Sequence, residues 1–274
     1  MNIGVRAHDI SAQNIPELFS KINKMGFGSV QLALKKSVKE FDLSSGSFSP
    51  GLAKYFKDAL TKNNICVSVL GSYINPINPD DEERENALSF FEENLKYAKY
   101  IGADVVGTET GCLDTPEKTH GEENYQVFLS SMKRLVKTAE KLGVFIAIEA
   151  VSSHTINNPK KMKHFLDDID SPNVLVILDT VNMLNLDNYK EHEKVIDEAF
   201  ELYKDKIAVV HLKDFRFEDG HLLRTIPGEG EFNFDYLFKT LKKHKPHISM
   251  LMEENKEEDI LRGKANLEKL FEEA

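Results

Sequence analysis

Two stretches, Val144-Phe145-Ile146-Ala147-Ile148-Glu149 and Val174-Leu175-Val176-Ile177-Leu178-Asp179, share one form: an apolar run of strand length that ends on a single carboxylate. Neither run alternates between apolar and polar residues, so both faces of each are suited to burial. That is the pattern of parallel strands covered on both sides, not of a half-exposed antiparallel sheet. The carboxylates are the first ionisable groups after each run. A carboxylate at such a position is seldom buried without a partner, which marks the strand ends as the place to look for chemistry.

Working outward, similar β-rich runs fall at 3–5, 29–34, 66–73, 104–110, 144–151, 174–180, 207–214 and 248–254. Between and after them lie amphipathic segments of helical period at 15–26, 51–64, 82–101, 122–142, 160–168, 190–203, 235–244 and 257–272. Breakers stand where helices should stop and strands begin: Gly26, Gly102, Gly143, Pro172 and Pro246. The alternation is that of repeated βα units, and eight of them favour closure into a (β/α)8 barrel with one domain over 1–274. An open doubly wound sheet is the competitor, but no G-x-G-x-x-G follows the first strand; Gly228-Glu229-Gly230 comes far too late. The acidic runs at 80–85 and 254–259 read as solvated helix starts, where negative charge complements the helix dipole.

Composition sets the outer bounds. With 274 residues, the chain has about the length of one complete barrel. Apolar residues make up 41% and charged residues 29%, and no run reaches the ~18 apolar residues of a membrane span. The first residues lead directly into strand-like sequence without a secretory leader, so a cytoplasmic protein is expected. Cys66 and Cys112 form no C-x-x-C pair, which leaves His, Asp and Glu as the available metal ligands. A net charge of −10 with dispersed lysines argues against nucleic acid as a partner. A homo-oligomer is compatible with all of this.

In a barrel the chemistry gathers at the C-terminal ends of the strands. Four ionisable residues interrupt the apolar runs there: Glu149, Asp179, His211 after Ala-Val-Val, and Glu253 after Met-Leu-Met. They recur at about one βα unit, which places them at similar height on consecutive strands. Two glutamates, one aspartate and one histidine converging in this way suit one divalent ion, Mn, Mg, Co or Zn. Other strand-end residues could line the same pocket and touch substrate: His8, Tyr73, Asn75, Glu109, His154, Asn182, Lys213, Asp214 and Arg216. The segment from Lys213 to Gly230 is long for a barrel loop and is expected to fold over the mouth, bringing Arg216 to the substrate.

At these residues the chain resembles the xylose isomerase-like barrel superfamily of sugar isomerases and epimerases, which also includes endonuclease IV-type repair enzymes. The resemblance rests on Ile-Ala-Ile-Glu (146–149), Leu-Asp-Thr-Val-Asn (178–182), Val-His-Leu-Lys-Asp (210–214), Pro-Gly-Glu-Gly-Glu-Phe-Asn-Phe (227–234) and Leu-Met-Glu-Glu (251–254). It implies that Glu149, Asp179, His211 and Glu253 bind one metal and that Glu149 and Glu253 also move protons. Between the adjacent Glu253 and Glu254, strand alternation admits one to the interior, and Glu253 follows the apolar run as its counterpart does. Many members carry His where this chain has Asn182, which implies a substrate other than the best-known ketohexoses.

The activity expected from these readings is metal-dependent epimerisation or isomerisation of a sugar, sugar phosphate or polyol through an enediolate, with Glu149 and Glu253 as acid and base. A dehydratase of an inosose-type polyol is the alternative, since the same intermediate can expel hydroxide. A repair endonuclease would need further histidines that His8, His154 and His221 do not supply in pattern. A non-catalytic sugar-binding barrel would have no use for two carboxylate bases.

Overall fold

The computed structural model describes residues 3–41, 43 and 46–274. Eight parallel strands close into a barrel: β1 (Ile3–Arg6), β2 (Ser29–Leu32), β3 (Cys66–Gly71), β4 (Val105–Glu109), β5 (Ile146–Glu149), β6 (Val174–Leu178), β7 (Ile207–Leu212) and β10 (Ser249–Met252). β10 pairs with both β7 and β1, which completes the closed ring. The strand starts and long helices follow the periodicity of the sequence, and Gly102 and Gly143 end the helices Asp81–Ile101 and Glu122–Leu142 in left-handed conformation. At those two positions a Cβ would be strained, so glycine is the fitting stop.

Two separate apolar clusters result. The larger lies between the strands and their helices; the smaller, Val69, Val105, Ala147, Ile177, Val209 and Leu251, fills the barrel interior. This smaller cluster fixes the inward face of the six strands that contribute to it. Since side chains alternate, Ala147 inward places Glu149 inward, Ile177 does the same for Asp179, Val209 for His211, and Leu251 for Glu253. The four ligand-type residues are thus the layer of side chains above the packed barrel core.

One element departs from the expected architecture. The segment after β7 is not an irregular loop but a two-stranded antiparallel hairpin, β8 (Asp214–Glu218) and β9 (His221–Thr225). Asp219 and Gly220 both have positive φ, 49° and 81°, as a two-residue type I′ connection requires. Asp214, read from sequence as the end of strand seven, begins this hairpin. Likewise the second strand stops at Leu32, and a short helix starts at Leu34.

Candidate metal centre and pocket

Glu149, Asp179, His211 and Glu253 converge as their strand parity demands, each at most 5% exposed. One ligand atom from each lies within 4.8 Å of all the others. His211 Nδ1 stands 3.3 Å from Glu149 Oε2, 3.4 Å from Glu253 Oε2 and 3.7 Å from Asp179 Oδ2. Ligands ~2.1 Å from one ion at angles near 90–110° sit about 3.0–3.4 Å apart, so the cluster has roughly the dimensions of a single coordination sphere.

The hydrogen bonding supports the same reading. Glu149 Oε2, Asp179 Oδ2 and both ring nitrogens of His211 are buried without a hydrogen-bond partner. Lys213 Nζ lies 2.9 Å from Asp179 Oδ2 but not in hydrogen-bond alignment, and 3.0 Å from Glu253 Oε2. Such orphaned buried groups are costly unless something binds them. Charge points the same way: three carboxylates and the Lys213 ammonium leave two negative charges for a divalent cation to balance. The residues therefore suit one metal ion.

Protonation among these side chains follows from burial and neighbours. Burial opposes the charged form of His211, yet the facing carboxylates of Glu253 and Glu149 hold its pKa up at about 10. Burial likewise opposes ionisation of Asp179 and Glu253, but Lys213 and His211 outweigh it and depress both, Glu253 to about 2. At Glu149 burial prevails over His211 and Lys213, and the pKa rises. Lys213 stays an ammonium, because Asp179, Glu253 and Glu149 overcome its own desolvation. A proton on His211 and the Lys213 ammonium together offset part of the negative charge of the carboxylates.

Second partners orient the ligands. Asn182 donates through Nδ2 to Glu149 Oε1 at 2.6 Å and through its backbone N–H to Asp179 Oδ1 at 2.9 Å. Gln31 Nε2 donates to Glu253 Oε1. Of the two adjacent glutamates, Glu253 joins the cluster, whereas Glu254 has φ 59° and turns to Arg224 and Lys213.

Beside the cluster lies a cavity of about 170 Å³ lined by Arg6, His8, Gln31, Lys36, Tyr73, Glu109, Lys213, Glu253 and Glu254. Here His8 Nδ1 and the Tyr73 hydroxyl are buried and unpartnered. Desolvation, with the charges of Arg6 and Lys36, lowers the pKa of His8 to about 4, so its imidazole is neutral at pH 7. Burial and the nearby carboxylates push the Tyr73 phenol well up. Glu109 pairs in register with Glu149, and burial followed by that neighbour raises its pKa to about 7. His154 Nδ1 is 3.7 Å from Glu109 Oε2, and burial lowers its pKa.

Most of the strand-end residues singled out from sequence are thus brought together, with three exceptions, Arg216, Asp214 and Asn75. Arg216 is exposed on the solvent face of the hairpin and bonds Thr225 Oγ1 at 2.9 Å. Pleating decides this: Arg216 pairs with exposed Leu223, while Arg224 pairs with buried Phe215 on the inner face. It is Arg224 that reaches the site, through Asn182 Oδ1 at 2.7 Å and Glu254 Oε2 at 2.8 Å. Asp214, the second exception, accepts four backbone hydrogen bonds and orders the chain around it. Asn75 bonds the Cys112 carbonyl and shapes its own loop.

Sequence reasoning missed Gln31, Arg6, Lys36 and Arg224. Gln31 breaks the run Val-Gln-Leu at a strand end, the same signal that revealed Glu149. Arg224 was recoverable from Asp219-Gly220, a strong hairpin turn flanked by alternating residues.

The structure is thus a closed eight-stranded parallel barrel that carries a buried carboxylate–histidine cluster at its C-terminal mouth. The chain belongs to the xylose isomerase-like TIM barrel family, whose sequence profile matches residues 19–273. Among its relatives is SgbU of Escherichia coli (strain K12), provisionally named an L-ribulose-5-phosphate 3-epimerase, 25% identical over 87% of this chain and 82% of the relative. An inosose dehydratase of Bacillus velezensis is 24% identical, covering 58% of this chain and 60% of its own length. Among solved structures, the 3-keto-D-glucoside 4-epimerase YcjR of E. coli superimposes with a TM-score of 0.77 at 21% identity, covering 98% of both chains.

Proposed function

We propose that this protein is a divalent-metal-dependent epimerase or isomerase of a keto sugar or keto-polyol, with Glu149 and Glu253 as the proton-moving residues. The observation that carries the proposal is the convergence of both glutamates with Asp179 and His211 in one buried cluster facing a pocket. Glu149, Asp179, His211 and Glu253 would hold the ion, which when bound polarises a carbonyl and stabilises negative charge on neighbouring oxygens.

The chain's own residues supply the rest. Each glutamate has one oxygen fixed, by Asn182 in Glu149 and by Gln31 in Glu253, so the other can be aimed. Fixed aim matters because proton transfer needs hydrogen-bond reach. One carboxylate takes the proton from the carbon next to the carbonyl, and the other returns a proton to the opposite face or to the adjacent carbon. His8, Tyr73, Glu109 and His154 face the substrate hydroxyls, and the Lys213 ammonium keeps Asp179 and Glu253 ionised.

The test is solvent exchange: metal-loaded protein with a panel of ketoses in D2O, followed by NMR. Deuterium entering the carbon next to the carbonyl, with an isomeric sugar as product, is the expected result. Loss of water to an unsaturated or diketo product assigns the inosose-dehydratase chemistry instead. No exchange with any ketose or inosose overturns the proposal.

A further inference from the structure

Resting on the reading of the site as a keto-sugar pocket, we infer that the substrate is uncharged, a free ketose or keto-polyol and not its phosphate ester. A phosphate monoester carries about −1.5 to −2 charges at pH 7. Proteins hold such a group with uncommitted arginines or lysines, or with several free backbone N–H groups pointing at one spot. In barrels this spot is frequently built from the loops after the last two strands.

In this chain the first of those loops is already filled. The backbone N–H groups of Phe215, Gly228, Gly230 and Phe232 converge on the carboxylate of Asp214, at 2.8, 2.9, 2.9 and 3.1 Å. That is an anion nest, and its anion belongs to the protein. The packing around it is closed: a Cβ on Gly230 would fall 2.3 Å from Asp214 Oδ1. The loop after the last barrel strand is net negative instead, with Glu254, Glu257, Glu258 and Asp259 against the single cation Lys256, and Glu257 already accepts the Ser11 N–H at 2.9 Å.

Three of the cations at the mouth are committed as well. Arg6 is held by Asp9 at 2.7 Å, Arg224 by Glu254 and Asn182, and Lys213 by Asp179, Glu253 and Glu254. Of the cations lining the cavity, only Lys36 makes no ion pair among the described residues; it is exposed, 5.5 Å from the centre of the Tyr73 ring. One solvated ammonium facing Glu109, Glu253 and Glu254 is a poor match for a dianion.

The groups left unpartnered on the cavity wall itself are neutral. His8 Nδ1 and the Tyr73 hydroxyl can each exchange a hydrogen bond with a sugar hydroxyl at little desolvation cost to a charge. A cavity of about 170 Å³ corresponds to roughly six waters at ~30 Å³ each, room for one monosaccharide.

The experiment is calorimetric titration of the Mg²⁺-loaded full chain with matched pairs: L-ribulose and L-ribulose 5-phosphate, D-fructose and D-fructose 6-phosphate. For the free sugar that binds best, the phosphorylated partner is expected to bind at least tenfold more weakly. Equal or tighter binding of the ester overturns the inference, and so does a panel in which neither free sugar binds. Carbon-bound deuterium exchange, read by NMR on the same samples, reports on the enzyme reading separately. A free sugar that binds in preference to its ester but never exchanges sinks the epimerase and leaves the charge selectivity standing.

Discussion

Asn182 and Glu149 are joined by a 2.6 Å hydrogen bond in which the amide donates to Oε1, while the carbonyl of the same amide accepts from Arg224. The amide is thereby locked in one orientation, and so is the glutamate. Asn182→Ala should lower kcat by about tenfold or more with the fold intact, since Glu149 would lose both its aim and a donor that favours its ionised form. Loss of that donor raises the pKa of Glu149, so the acidic limb of the pH profile of kcat/KM should move to higher pH. An unchanged limb would make Asn182 a purely structural residue.

Metal binding should be strongly pH-dependent. In the ion-free cluster His211 holds a proton with a pKa of about 10, and an ion bound through Nδ1 must expel it. Affinity for Mn²⁺ or Zn²⁺ should therefore rise by about tenfold per pH unit between pH 6 and 8 for each proton released. Titrations in buffers of different ionisation enthalpy would count that proton and the expected one ion per chain. Affinity independent of pH would remove His211 from the ligand set.

Glu149→Gln and Glu253→Gln each keep the side-chain volume and remove the base. Turnover should fall at least ~100-fold in both, with circular dichroism unchanged. Activity above about a tenth of wild type in either would contradict the two-base scheme.

The parts that were legible from sequence were those governed by repetition. Alternating βα units gave a closed barrel, and a carboxylate or histidine ending an apolar run found all four residues of the cluster. What escaped was governed by local geometry within a single connection. Segment 214–225 has the alternation and Asp-Gly turn of a hairpin, but its short strands are half solvated, so its signal was weaker than that of the buried runs. Once it is treated as a loop, Arg216 and Arg224 are indistinguishable; once paired, they lie on opposite faces. Gln31 and Arg6 sit in register on neighbouring strands, and only closure of the barrel brings Gln31 to Glu253.

Asp214 should prove to be a stabilising residue. Its carboxylate satisfies four backbone N–H groups, and Asp214→Ala leaves them to find water in a partly buried loop. A loss of about 2–4 kcal/mol is expected from charged hydrogen bonds of this kind, read as a lowered Tm. Asp214→Asn, which keeps one acceptor, should lose less. An unchanged Tm in the alanine variant would contradict this role.

The two hairpin arginines provide the sharpest contrast between sequence position and spatial position. Arg216 lies in β8, close in sequence to His211, yet its guanidinium lies in solvent against Thr225. Arg224 is farther along the chain, yet it bridges Asn182 and Glu254 and so ties the hairpin to Glu149 and, through Glu254, to Lys213. Arg224→Ala should release the Asn182 amide and leave Glu254 unbalanced beside the pocket, lowering kcat/KM by about tenfold. Arg224→Lys should recover only part of the loss, because a single ammonium cannot reproduce two guanidinium hydrogen bonds in fixed directions. Arg216→Ala should leave kcat/KM within about twofold of wild type, as expected for an exposed polar contact. Steady-state kinetics on the three variants, with Tm to confirm folding, decides the matter. A tenfold loss in Arg216→Ala together with wild-type behaviour in Arg224→Ala would mean that the hairpin presents its other face to the substrate.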